Sequence, residues 1–173
     1  MGADRNARIT IRDAQAADIS ALMAIRGDGS EALHQDRLRD AQNPGFRYMV
    51  LLKGQEIIGF ACLVFRRPLH WSDADDTEKL PQIVDLRVQD SQRGQGYGSE
   101  FVRALEHATA AAGFGHLYLS VEANDNPRAY ALYQRLGYQS LQCEPYHQTW
   151  AFTDSLGQVH QGENWIIDMV KQL

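Results

Sequence analysis

At 173 residues the chain suits one domain, spanning 1–173, with room for an ample core. Hydrophobic residues make up 44% and charged residues 23%, an ordinary globular balance, and a formal net charge of -5 argues against the basic face that nucleic-acid binding needs. Nothing approaches the ~18-residue apolar run of a membrane span, no secretory-type segment opens the chain, and Cys62 and Cys143 form neither a disulfide framework nor a metal-spaced pair, so the expectation is a cytoplasmic protein with no membrane or nucleic-acid partner.

Residues 8–12 alternate polar and apolar, which predicts a first strand. Over 18–26, Ile19, Leu22, Met23 and Ile25 are spaced as in a helix, with Asp18 as its cap. A more polar helix is expected over 31–41, ending before Asn43-Pro44-Gly45. Strands at 48–53 and 57–65 flank Gly54-Gln55, a hairpin signal, and Cys62 within the second reads as a small buried hydrophobe. Residues 66–81 read as a long loop carrying Trp71, Asp73, Asp75, Asp76 and Glu78, and long loops inside compact domains are often functional. An apolar strand follows at 83–88. A helix over 97–112 places Tyr97, Phe101, Leu105, Ala108 and Ala112 on one stripe, and Gly113 ends it. After a strand at 117–122, Asn126 caps the next helix, Pro127 opens it and Gly137 stops it. Strands at about 139–146 and 165–170 close the domain, with a turn through Asp154-Ser155-Leu156-Gly157 between them.

The segment Arg93-Gly94-Gln95-Gly96-Tyr97-Gly98-Ser99 lies between the strand at 83–88 and the helix at 97–112. Glycines at alternate positions strip side chains from the loop, so backbone N–H groups can close on a bulky anion. The helix start adds unsatisfied donors and a positive dipole end, and Arg93 adds a cation. The natural ligand of such a site is a diphosphate. A Walker loop would need Lys-Ser/Thr after its last glycine, where Ser99 and Glu100 stand. A dinucleotide fingerprint would need glycine at position 99 and a loop leaving the strand almost at once, although Glu122 could imitate its ribose-binding acid. A plain helix-capping turn needs only one glycine.

Arg93-x-x-Gly96-x-Gly98 resembles the coenzyme A pyrophosphate loop of the GNAT superfamily of N-acetyltransferases. Downstream, Asn126, Ala129, Leu132, Tyr133, Gly137 and Tyr138 are similar to a second segment of that family at each of its named positions. The resemblance covers about residues 82–138. It implies a single-domain α/β fold with a mixed, mostly antiparallel sheet of six or seven strands. Strands four and five are splayed, and about four helices flank the sheet. It further implies an acyl-CoA-dependent N-acyltransferase that passes acetyl from acetyl-CoA to a primary amine by direct attack in a ternary complex, without a metal. The phosphate-binding residues would be Arg93, Gly94, Gln95, Gly96, Gly98 and Ser99. The backbone of Leu86 to Val88 would pair with the pantetheine arm, an N–H there (Val88 first) polarising the thioester carbonyl; side-chain core packing is compatible with that use.

Tyr133 occupies the family position that supplies a general acid to the departing thiolate, against the bland reading of a buried helix aromatic. Asn126 could bond the pantetheine, although its cap role is sufficient alone. The base that deprotonates the amine is open between Asp85, Glu122 and a water chain. The six histidines show no metal spacing. The acceptor, a small-molecule or peptide amine, would meet the first two helices, the acidic loop and the closing strands, with Trp71, Tyr146, His147 and Trp150 candidates for an aromatic wall. A non-catalytic acyl-CoA-binding regulatory domain is the alternative in another class, and a homodimer is open.

Overall fold

The computed structural model describes residues 8–25, 31–67 and 80–173. Trp71, Asp73, Asp75, Asp76 and Glu78 of the expected acidic loop lie outside the described residues. Among the described residues, four α-helices flank one sheet: α1 (Ile19–Ile25), α2 (Glu31–Asp40), α3 (Tyr97–Ala111) and α4 (Pro127–Arg135). The strands are β1 (Ile9–Asp13), β2 (Phe46–Lys53), β3 (Glu56–Arg67), β4 (Leu80–Val88), β5 (His116–Val121), β6 (Gln139–Ser140), β7 (Tyr146–Thr153) and β8 (Val159–Gln172). Their order is β1-β2-β3-β4-β5-β8-β6, with β7 added along β8. All neighbours are antiparallel except β4 and β5, which α3 connects as a parallel crossover.

Both faces of the central strands are buried, which is why they read as continuous apolar runs. In β2, Met49 and Leu51 join the cluster containing Phe101, Val102 and Leu105 of α3, whereas Tyr48, Val50 and Leu52 join the cluster containing Leu22 of α1. Strand alternation thus feeds two cores, one under α3 and α4 and one under α1 and α2. Phe101 and Leu105 are fully buried, contributing about 1.5–3 kcal/mol each. The α3 stripe runs through Phe101, Val102, Leu105 and Thr109; Ala112, expected on it, is exposed.

Three further expectations shift. Asp18 does not cap α1: a 3-10 turn (Ala16–Asp18) precedes the helix, and Asp18 reaches back to the Gln15 N–H at 2.8 Å while pairing Arg12. Hydrogen bonding from Arg12 outweighs the upward push of burial and holds this carboxyl below the usual range. The expected strand at 139–146 is a two-residue β6 followed by a bend, and the expected strand at 165–170 is the end of the much longer β8. Hence the described residues form eight strands. The first half of β8 pairs only with β7 in an exposed ribbon, where no buried face imposes an apolar alternation. In the ribbon, Trp150 lies over Gly162, where a Cβ would come within 2.6 Å of its ring.

Gly59 faces Val88 across the β3–β4 ladder, and a Cβ there would sit 2.7 Å from the Arg87 carbonyl oxygen. Backbone cannot yield as a side-chain tip can. Gly59→Ala is therefore expected to destabilise the fold by about 1–3 kcal/mol, read as a lower urea midpoint with unchanged slope.

Candidate active site

The β4–β5 ladder consists of only the pairs Gln82↔Tyr118 and Ile83↔Leu119. Beyond them the strands part, and the cause lies in β4. Phe60 faces Arg87 and Cys62 faces Val84, so Asp85 and Leu86 together oppose Ala61. That is a β-bulge, which bends its strand. Asp85 takes φ 50°, the only non-glycine residue with positive φ among the described residues. Between the parted strands opens a cleft of about 1350 Å³, walled by Asp85 to Val88 on one side and Ser120 to Glu122 on the other. Arg93, Gly94, Gly96, Gly98 and Ser99 close one end, and Asn126 at the cap of α4 and Leu132 and Tyr133 within it line the cleft.

Sequence-selected residues from two distant segments thus meet on one cleft. Gln95 stands apart from its lining: its amide turns to the Ser91 carbonyl at 3.4 Å. Asn126 spends its side-chain oxygen on the Ala129 N–H at 3.2 Å, the expected cap. Arg93 donates from Nε to the Val88 carbonyl at 3.1 Å and pairs Asp90 at 2.7 Å, so it also ties the strand end to the loop.

The loop glycines are not equivalent. Gly94 and Gly96 adopt φ of 78° and 90°, and a Cβ on either would meet nothing within 4 Å, so conformation reserves these positions. Gly96 is the N-cap of α3 without a side-chain capping bond, leaving the first-turn N–H groups aimed at the cleft end. Gly98 lies within α3, its Cβ position 3.4 Å from Leu132 Cδ2.

Strand alternation fixes where Val88 points. The Gln89 N–H donates to Ile58 O of β3 at 2.8 Å, so the Val88 N–H and carbonyl face away from β3, toward the parted edge. Tyr133 lines the same cleft while only 7% exposed, its ring edge-on to Tyr138 at 5.7 Å. Burial pushes its phenol up to about 12, so it is neutral throughout the physiological range.

The two carboxylates named as bases differ. Asp85 is engaged by Arg37 at 2.6 Å and by Arg87 at 3.0 Å. Glu122 accepts the Asn164 amide, and Asn164 in turn accepts the Trp150 indole N–H at 2.9 Å. The proposed aromatic wall divides. Register puts Tyr146 and Trp150 on one face of the ribbon and His147 on the other, beside Trp165. Tyr146 instead donates to the buried Asp168, which also holds Ser120 of the cleft wall.

Two residues of this region escaped the sequence patterns. His34, fully buried, meets the Tyr48 hydroxyl at 2.8 Å, and Arg37 crosses from α2 to the bulge. Their only local signal is polarity on the inner face of a weakly amphipathic helix.

The α/β sheet thus parts at β4–β5, its only parallel pair among the described residues, with a glycine loop at the end of the gap. The chain belongs to the Acetyltransferase (GNAT) family, whose model matches residues 14–138. Among solved structures, it resembles the ribosomal-protein-alanine N-acetyltransferase of Brucella melitensis at 19% identity, over 95% of this chain and 99% of that one, with a TM-score of 0.68. A phosphinothricin acetyltransferase from Sinorhizobium meliloti, in complex with AcCoA, shares 20% identity over 95% of this chain and 88% of its own, with a TM-score of 0.67. A mycothiol acetyltransferase from Corynebacterium glutamicum is 33% identical over 90 residues, 52% of this chain and 27% of that protein. The chain thus spans about a quarter of the length of the curated relatives it matches. Of the phosphate-loop readings left open by the sequence, family membership favours the coenzyme A loop over the dinucleotide fingerprint.

Gly96→Ala and Gly98→Ala should separate on thermal unfolding. The first forces a Cβ into the left-handed region at a cost of roughly 1–2 kcal/mol. The second gains up to about 1 kcal/mol of helix propensity against a tight Leu132 contact, for a near-neutral outcome.

Proposed function

We propose that this chain is an acetyl-CoA-dependent N-acetyltransferase acting on a primary amine in a ternary complex. The observation that carries the reading is the convergence on one cleft of an outward-facing Val88 N–H, an uncapped glycine-loop helix start and a neutral buried phenol. The coenzyme diphosphate would take the N–H groups of the loop from Gly94 to Ser99, with Arg93 nearby. The pantetheine arm would lie between β4 and β5, taking the main-chain groups of Leu86 and Val88 that β5 leaves unpaired.

In the reaction, the Val88 N–H polarises the thioester carbonyl and the amine nitrogen forms a bond to its carbon. The C–S bond then breaks and the electron pair leaves on sulfur. Against an ordinary thiol near ~8.5, a phenol at about 12 is the weaker acid. Tyr133 therefore serves first as a hydrogen-bond donor to the developing thiolate. It passes its proton to sulfur as the acidic N–H of the adduct is transferred, through water, back to the phenolate. Before attack, the ammonium substrate must lose one proton. We assign that proton to Glu122, because the Asp85 oxygens are held by two guanidiniums whereas Glu122 accepts only a neutral amide among the bonds described. The acceptor is a small-molecule or peptide amine. A regulatory acyl-CoA-binding domain would have no use for Tyr133 in the cleft.

Calorimetric titration with acetyl-CoA and with NAD tests the coenzyme, and thiol release across an amine panel tests the activity. Binding of NAD in preference to acetyl-CoA would overturn the reading. Binding of acetyl-CoA without thiol release for any amine would move it to the regulatory class.

Tyr133→Phe keeps the ring and its packing, so folding and acetyl-CoA affinity should hold while single-turnover transfer falls about 10²–10⁴-fold. Glu122→Gln should lower single-turnover transfer by about 10²–10⁴-fold while acetyl-CoA affinity holds; an unchanged rate would return the base to water.

A further inference from the structure

Resting on the transferase reading above, we infer that Arg37 of α2 is a positioning residue for the reaction. By gripping Asp85 it holds the β4 bulge that aims the Val88 N–H into the cleft.

The bulge needs holding. Asp85 sits at φ 50°, where a side chain strains the backbone, and such residues persist only when their surroundings over-determine them. Arg37 reaches one oxygen of its carboxylate at 2.6 Å and Arg87 the other at 3.0 Å, so the side chain is fixed from a helix and from its own strand. Both Arg37 and Asp85 are nearly buried, with side-chain exposures of 13% and 15%. A buried ion pair is a poor source of stability for its desolvation cost, and its best-attested use is to select one conformation.

Arg37 is itself fixed. Its guanidinium stacks over the Tyr48 and Phe60 rings, each 5.7 Å away, and the Tyr48 hydroxyl is bonded to His34. The preceding residue, Asp36, accepts the Ser155 N–H at 3.1 Å, at the turn of the β7–β8 ribbon. The same ribbon carries Asn164, which holds Glu122. Helix α2 thereby ties the wall bearing Val88 to the wall bearing Glu122. Arg37 is not among the cleft-lining residues, so it acts through Asp85 rather than on substrate.

The test uses the full chain and a suppressor. Arg37→Met leaves an apolar side chain of similar length between Tyr48 and Phe60. Asp85→Gly gives the bulge a residue that accepts positive φ without a grip. Arg37→Met should lower single-turnover acetyl transfer by roughly 10–100-fold, the scale of a small misplacement of a catalytic group, with CoA affinity within about threefold of wild type. The Val88 amide resonance should shift. Adding Asp85→Gly should return both the rate and the resonance toward wild type, a recovery that simple loss of an ion pair would not produce. If Arg37→Met does not fold, Arg37→Lys, which keeps the charge but loses the planar fork, replaces it with the same expected pattern at smaller amplitude. Unimpaired Arg37 variants, or a double variant no better than the single, overturn the positioning role. A wild-type protein that binds no CoA overturns the transferase reading instead, and the Val88 resonance then still reports whether Arg37 holds the bulge.

Discussion

The bulge at Asp85 sets two residues of β4 against one of β3, and the mismatch turns the second half of β4 out of register with the sheet. Pairing with β5 stops at Ile83, and the main-chain groups beyond it, Val88 among them, face an open gap. Three other features depend on that bend. Gly59 lets the Arg87 carbonyl come close without a clash. The Arg93 side chain reaches the Val88 carbonyl and fixes the strand end to the loop. The α3 start arrives uncapped at the end of the gap. Remove the extra residue and β4 would continue alongside β5, closing the space that the loop borders.

Around the gap, acidic side chains divide into those spent on structure and one left to the cleft wall. Asp85 is consumed by two guanidiniums. Asp168, 2% exposed, receives Ser120, Gln142 and Tyr146, which binds the β6–β7 connection to the wall formed by β5. Burial and then Asp168 push the Tyr146 phenol upward, so it remains a donor. Asp154 receives two backbone N–H groups and His160, closing the ribbon turn. Each buried carboxylate is met by several donors, as desolvation requires. Glu122 has a neutral amide for its described partner and stands on the cleft.

The parts of this design visible in the sequence are those where backbone chemistry restricts the residue type. Gly94 and Gly96 need positive φ, Asn126 and Pro127 need the two ends of a cap, and these restrictions leave a local signature. The apolar runs of β2 and β3 likewise report two buried faces. Asp85 left no such mark, because its left-handed backbone is imposed by a bulge and by an arginine 48 residues away. His34 and Arg37 were hidden for a related reason: a polar helix face normally means solvent, and here it meets the aromatic rings of Tyr48 and Phe60. The β7–β8 ribbon exceeds its sequence signal because strands without a buried face lack the alternation that marks a strand.

The joint between β4 and β5 has a thermodynamic side. Among the described residues, the β4–β5 ladder joins the two halves of the sheet by two residue pairs, with α3 as the covalent bridge. A molecule lying in the gap would act as a strand in its own right, lending hydrogen bonds to both edges. By linkage, occupancy at a hundredfold excess over the dissociation constant is worth about 2.7 kcal/mol of folding free energy. The sheet would then owe part of its cohesion to the occupant of the gap, and the stability of the protein would track the concentration of that occupant.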